Sequence, residues 1–262
     1  MSSHSGIEWT DATWNPVTGC TKISPGCKFC YAERLMKRFG RQKFSEVALH
    51  PDRLELPLHW RTPRMIFVNS MSDLFHDRVP LSFVDRVFEV MTRANQHVYQ
   101  VLTKRPDRLL AWQRGRDSAR RIAPNVWIGV SIESKAYMWR AERLREVEAQ
   151  IRFISAEPLL GSLAALDLTG VSWVITGGES AGSSGRALVA LERGEWRPKA
   201  AAMEWVRELR ELCRESRVAF FHKQWGGPTP KSGGRHLDGR VWSEYPRAAR
   251  AMVPVATQQP AV

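Results

Sequence analysis

Residues 65–103 read MIFVNSMSDLFHDRVPLSFVDRVFEVMTRANQHVYQVLT, and the pattern in this stretch decides the fold. An apolar run, Met65–Ser70, leads into apolar residues at helical spacing (Val84, Val87, Phe88 and Met91), and a second apolar run, Val98–Thr103, follows. Neither run alternates polar with apolar positions, which suits parallel strands covered on both faces. Ser82 and Asp85, three residues apart, have the form of a capping box at the start of the intervening helix.

The same unit recurs on the C-terminal side. Further strand runs are read at Val126–Ser131, Ile151–Ala156, Val171–Thr176 and Val218–His222. Ser134 is placed to cap a helix carrying Tyr137, Ala141, Leu144 and Val147, and Pro198 suits the first turn of a helix carrying Met203, Val206 and Leu209. On the N-terminal side, Ala12–Asn15 reads as a short strand and Tyr31–Phe39 as a helix. Repeated strand–helix units imply a parallel α/β fold with right-handed crossovers. The expectation is a partial or near-complete TIM-like barrel of six to seven parallel βα units, with a doubly wound open sheet as the alternative. Residues 1–225 are read as the barrel domain. Residues 226–262 are read as a loop-rich extension, because GGPTPKSGGRHLDG follows Trp225 and the last residues look loose.

The chain's 262 residues, 43% of them hydrophobic, suffice for one sizeable core. No apolar run is of membrane-spanning length, and the N-terminus lacks the charged start and apolar stretch of a secretory signal. A cytoplasmic protein with no membrane partner is the expectation. Lys and Arg outnumber Asp and Glu by 39 to 27, a net charge of +12, which favours contact with a polyanion such as nucleic acid. Lys104, Arg105, Arg108, Arg114, Arg116, Arg120 and Arg121 cluster around Trp112, which reads either as a phosphate-contacting surface with a stacking aromatic or as a solvated helix face.

Of four cysteines, three fall in the segment Asn15-Pro-Val-Thr-Gly-Cys20-Thr-Lys-Ile-Ser-Pro-Gly-Cys27-Lys-Phe-Cys30-Tyr-Ala, spaced C-x6-C-x2-C. Clustered cysteines in a reducing compartment bind metal or do redox chemistry. The fourth, Cys213, sits in the stripe of Val206, Leu209 and Leu212 and reads as core. A loop with Gly19, Pro25 and Gly26 can wrap a compact inorganic cluster, and a helix starting at Cys30 would aim its N-terminal amides at an anionic one. Three thiolates leave one metal position open, whereas structural zinc and ordinary four-iron sites take four protein ligands. The alternative is a Cys3His zinc site completed by His50 or His76.

This segment resembles the radical S-adenosylmethionine (SAM) superfamily, whose usual motif is C-x3-C-x2-C with an aromatic before the last cysteine, the place Phe29 takes here. The fuller string N-P-x-x-G-C…C-x-x-C-Y-A looks like the branch containing spore photoproduct lyase, and closer still to an uncharacterised phage-associated family with the longer first spacing. The resemblance implies a [4Fe–4S] cluster held by Cys20, Cys27 and Cys30, with SAM chelated at the fourth iron, cleaved reductively, and hydrogen then abstracted from a substrate. It also implies an electron donor protein such as flavodoxin or ferredoxin.

In a barrel, functional residues follow the C-terminal ends of the strands, and polar groups recur there. Ser70, Ser72 and Asp73 follow the first long strand, with Ser72 and Asp73 in the place where the superfamily contacts the SAM amino group. Ser131 and Glu133 follow a later strand, where the resemblance implies a ribose or carboxylate contact. Gly177, Gly178 and Glu179 follow another, with glycines that could admit adenine or substrate. Lys104, Glu157 and Lys223 are the catalytic candidates, since long charged side chains beside buried strands need partners. Any one of these residues could instead be a helix cap. Trp225 could border the pocket. The expected activity is that of a radical SAM enzyme acting on a nucleic acid base or nucleotide. The alternatives are a nucleic-acid-binding protein with a structural metal site and a radical SAM enzyme acting on a peptide or small metabolite.

Overall fold

The structure is a computed structural model that describes residues 5–39, 43–115, 122–179, 188–229 and 231–246. Seven parallel strands form the main sheet: β1 (Ala12–Trp14), β2 (Met65–Val68), β3 (Val98–Thr103), β4 (Val126–Ser131), β5 (Arg152–Ala156), β6 (Trp173–Gly177) and β7 (Ala219–Gln224). Their spatial order is their chain order, and every neighbouring pair is parallel. The sheet curls into a half-barrel with β1 and β7 at its edges. Trp9, just before β1, touches Phe67 of β2 with ring centroids 4.7 Å apart and also reaches Trp173 of β6 at 6.2 Å, which a flat sheet would not allow.

The curl gives each strand two buried faces. Outward residues such as Val68, Val101, Ile128, Ile154 and Val174 join the larger core with the helices α1 (Tyr31–Phe39), α2 (Leu81–Arg93), α3 (Pro106–Arg114), α4 (Trp139–Arg145) and α5 (Ala200–Glu215) or the segments beside them. Alternate residues point inward. Phe67, Trp127, Phe153, Trp173 and Phe221 combine with Trp9 into a second, aromatic cluster inside the half-barrel. This plug fills the interior below the C-terminal strand ends, and a cavity opens above it.

Strands β3 and β4 have the expected limits, whereas β2 stops at Val68, because Asn69 turns to φ 60°. Three helix starts differ from expectation. Ser82 lies inside α2, whose cap position is Pro80, and the Asp85 carboxylate accepts a hydrogen bond from the Trp112 indole at 3.0 Å. The Ser134 hydroxyl caps nothing, and α4 begins only at Trp139, after a short 3-10 turn. Pro198 ends a strand of a hairpin, Val189–Glu192 with Glu195–Pro198, and α5 starts at Ala200. Cys213 is fully buried in the larger core. Beyond Trp225 the chain is mostly loop, with Leu237 buried and the Trp242 ring against Phe220. The final residues lie outside the described set, as do Arg116, Arg120 and Arg121. No helix among the described residues is long and apolar enough to cross a membrane.

The Trp173 ring sits at the centre of the plug, against Trp9, Trp127, Phe153, Phe221 and Tyr245. Trp173→Ala should therefore lower the unfolding free energy by about 3–5 kcal/mol, and Trp139→Ala, at a partly exposed site, by under about 1 kcal/mol, both read by urea denaturation. A pH effect comes from His222, fully buried with Nδ1 hydrogen-bonded to Thr176 Oγ1. Burial, followed by the charge of Arg235, pushes its pKa down to about 3 from 6.5. The unfolded chain takes up this proton first, so the contribution is full above pH 6.5 and declines as the pH falls toward 3. Replacing His222 by Gln should flatten the dependence of unfolding free energy on pH across that window.

Candidate active site

Above the aromatic plug lies an open cavity of about 1130 Å³, counting the solvent at its mouth. Its floor and walls come from the C-terminal ends of the strands, and one side is the cysteine segment between β1 and α1. The inward register of the strands continues into the site. On β5, Phe153 belongs to the plug and Ser155 lines the cavity, as does Glu157 just beyond the strand. After β2 come Asn69, Ser70, Ser72 and Asp73, and after β3 come Lys104 and Arg105.

The cysteine segment is held by backbone contacts that depend on its glycine. Gly19 pairs with Ser72, donates to the Met71 carbonyl at 3.1 Å and adopts φ +86°. A Cβ there would lie 2.0 Å from the Glu46 carbonyl oxygen, so no other residue fits. The Cys20 amide then donates to the Phe44 carbonyl at 2.7 Å. Residues Pro25–Cys27 make a single 3-10 turn, closed by the Cys27 amide on the Ser24 carbonyl. The Cys30 carbonyl accepts the Arg34 amide, which places this cysteine at the start of α1. Tyr31 anchors that helix to the strand ends by donating its hydroxyl to the Ser70 carbonyl, and burial raises its pKa.

Asp73 ties these parts together. Its Oδ1 accepts from the Thr103 hydroxyl at 2.7 Å and the Phe75 amide at 3.0 Å. Its Oδ2 accepts from the Lys104 amide at 3.0 Å and the Arg105 guanidinium at 3.2 Å. Arg105 reaches onward to Cys20 Sγ at 3.7 Å and to the Thr21 carbonyl and hydroxyl at 3.2 and 3.1 Å. Burial, with the Asp73 charge behind it and Arg105 opposing, pushes the Cys20 thiol up to about 11. Across the cavity, Lys223 Nζ donates to Glu157 Oε1 at 2.5 Å.

Cys20, Cys27, Cys30, Ser70, Ser72, Asp73, Lys104, Ser131, Glu157, Gly178, Glu179 and Lys223 all line this one cavity. Within it their situations differ. Ser72 donates its hydroxyl to the Val17 carbonyl, and Asp73 has both oxygens taken by protein donors. Glu133 and Gly177 are not in the lining. Glu133 is fully buried in an ion pair with Arg140 at 2.9 Å, beneath Gly26. The glycines serve backbone packing: a Cβ on Gly178 would stand 2.0 Å from the Trp225 carbonyl, and one on Gly177 would press on Glu157. Trp225 itself is buried against His222, away from the cavity. Trp112 is packed on Phe75 and Phe88, so it is not available to stack on a base. Sequence reasoning missed Ser155 and the contact of Arg105 with Cys20. Ser155 could have been found by counting in twos from Phe153; Asn69 stands among the polar residues after the first long strand and lines the cavity. The Asn69 side chain accepts from the Val17 amide, and its Nδ2 is buried without an acceptor among the described residues.

The residues present fit a thiolate-ligated cluster in donor type and in lining one cavity. Cys20, Cys27 and Cys30 are free of disulfides and share the cavity. The two histidines that could have completed a zinc site are engaged elsewhere, His50 with the Thr18 hydroxyl and His76 with the Thr21 hydroxyl, each at 2.8 Å, and neither lines the cavity. Among the described residues, no three His, Cys, Asp or Glu side chains are arranged to hold a metal ion.

Fold and site together define a parallel α/β half-barrel with one cysteine-walled cavity at the C-terminal strand ends. The chain belongs to the family described as protein of unknown function (DUF5131), whose profile matches residues 4–246. Among curated proteins none matches. Two solved structures are similar to it, both of spore photoproduct lyase. One is a tyrosine-to-phenylalanine mutant, with TM-score 0.48 and 12% identity over 79% of this chain and 74% of that one. The other is a complex with the dinucleoside spore photoproduct, with TM-score 0.48 and 11% identity over the same shares.

Gly178→Ala should lower the unfolding free energy by about 1–3 kcal/mol, because its methyl meets backbone that cannot swing aside. Gly161→Ala, with nothing within 4 Å of the added Cβ, should leave it within about 0.5 kcal/mol. Urea denaturation of the two variants checks the contrast.

Proposed function

We propose that this chain is a radical SAM enzyme, in which Cys20, Cys27 and Cys30 hold a [4Fe–4S] cluster and SAM occupies the adjoining cavity. The observation that carries the reading is that three disulfide-free cysteines, spaced C-x6-C-x2-C, share one cavity with charged side chains from the C-terminal ends of the strands and with no histidine. When bound, the cluster and SAM supply one-electron cleavage of SAM and hydrogen abstraction from a substrate.

The chain's own residues then bind, orient and exclude water. Phe29, Phe44, Phe67 and Leu102 give the cavity apolar walls that keep a reactive species from solvent. Lys104 makes no ion pair among the described residues, so its ammonium suits an anionic group such as the SAM carboxylate. The Glu157–Lys223 pair offers an acceptor and a donor to ligand hydroxyls, and Asn69 Nδ2 is a further donor. Asp73 keeps the site in shape, with no oxygen left over for an ammonium.

The substrate in this reading is a nucleic acid base or nucleotide, supported by the net charge of +12. The electron comes from a small donor protein of the flavodoxin or ferredoxin type. Binding to DNA or RNA that weakens steeply with added salt supports the substrate class; salt-independent or absent binding rejects it in favour of a small molecule.

Reconstituted without oxygen, the protein should be brown, carry about four irons per chain and cleave SAM on reduction. Cys27→Ala should lose both properties and Cys213→Ala neither, as read by iron content and product chromatography. A colourless zinc protein, or equal iron loss in both variants, would overturn the reading.

A further inference from the structure

Arg105 is buried, with about 8% of its side chain exposed, and so is its partner Asp73. A buried guanidinium costs several kcal/mol in desolvation, and an apolar pair of similar volume is often no less stable. Stability alone therefore gives little reason for a charged pair here. The charge is also held in a fixed orientation. Arg105 stands in the turn between β3 and α3, its own amide donating to the Thr103 hydroxyl at 2.9 Å, with Pro106 at the first helical position. Its guanidinium is gripped on one side by Asp73 and on the other by the Thr21 carbonyl and hydroxyl. Nη1, the nitrogen that donates to Asp73 Oδ2 at 3.2 Å, also donates to Cys20 Sγ, 3.7 Å away.

We propose that Arg105 is a positioning residue that hydrogen-bonds to the Cys20 thiolate of the bound cluster and thereby raises the cluster's reduction potential. The inference rests on the function proposed above and adds a residue outside the ligand set. A cluster ligated by thiolates gains one unit of negative charge when it accepts an electron, and a hydrogen bond and a positive charge at a ligand sulfur favour that more negative state. The step concerned is uptake of one electron by the oxidised cluster; no bond breaks and no proton moves. Asp73 cancels part of the charge, so the directional hydrogen bond accounts for the larger share of the effect.

The test uses anaerobically reconstituted full-length protein, with dithionite as the one-electron donor and electron paramagnetic resonance as the readout. Arg105→Gln should retain its iron and take up the electron at least tenfold less favourably, a shift of about 59 mV per decade for a one-electron couple. Arg105→Lys keeps the charge, loses the planar fork, and should fall between the two. On the wild-type protein, labelling with 15N-arginine should give a weak nitrogen coupling to the reduced cluster that Arg105→Lys abolishes. This measurement holds even if Arg105→Gln fails to fold. Wild-type potential in an iron-replete Arg105→Gln protein, or no arginine coupling in the wild type, overturns the proposal and leaves the enzyme assignment standing. A wild-type protein that takes up no cluster overturns the enzyme assignment itself.

Discussion

One carboxylate holds the working end of this protein together. Asp73 receives donors from its own turn, from the end of β3 and from Arg105, and through Arg105 it reaches the first cysteine of the three-cysteine segment. The segments it joins are distant in sequence: residue 20, residue 73 and residues 103–105. A parallel sheet brings them together because all of its strands end on the same side. Loops that leave that side therefore converge, and a charge buried among them can bind to several at once. The same burial that makes Asp73 costly to leave unpaired makes it effective as a clamp.

The aromatic plug imposes the complementary constraint. With Trp9, Trp127, Phe153 and Trp173 filling the half-barrel from below, the cavity lies at the upper strand ends. That also explains why the inward positions change character along a single strand. Phe153 closes the bottom, Ser155 is small enough to leave room and Glu157 is polar enough to use it.

The sheet was legible in the sequence because strands buried on both faces cannot alternate, so each shows as an unbroken apolar run. Helix starts were less legible, since they depend on single hydrogen bonds. Ser82 has the right chemistry for a cap, but Pro80 fits the entry to α2 and the Asp85 carboxylate is drawn to the Trp112 indole instead. The hairpin before α5 did leave a signal. Arg193 and Gly194 both take positive φ, as a tight two-residue turn between short alternating strands requires. The Arg-Gly pair was the clue, and Pro198 drew attention to the wrong element.

The site was legible wherever position alone decides it. Lys104, Glu157 and Glu179 follow strand ends and Lys223 lies in the last two residues of β7, and the strand ends meet, so all four reach the cavity. Partner choice was not legible, because it depends on distances the sequence does not contain. Glu133 also follows a strand end, yet it turns beneath Gly26 to Arg140, seven residues farther along the chain, and is lost to the cavity. Trp112 sits in a basic stretch, but Phe75 and Phe88 enclose it and leave no face for a base. A periodic pattern places a residue at the rim of a site; whether its side chain enters depends on what is buried beside it. At the rim of this half-barrel, Arg105 stands 3.7 Å from a cysteine sulfur, although its sequence position groups it with a basic stretch and the fold turns it inward.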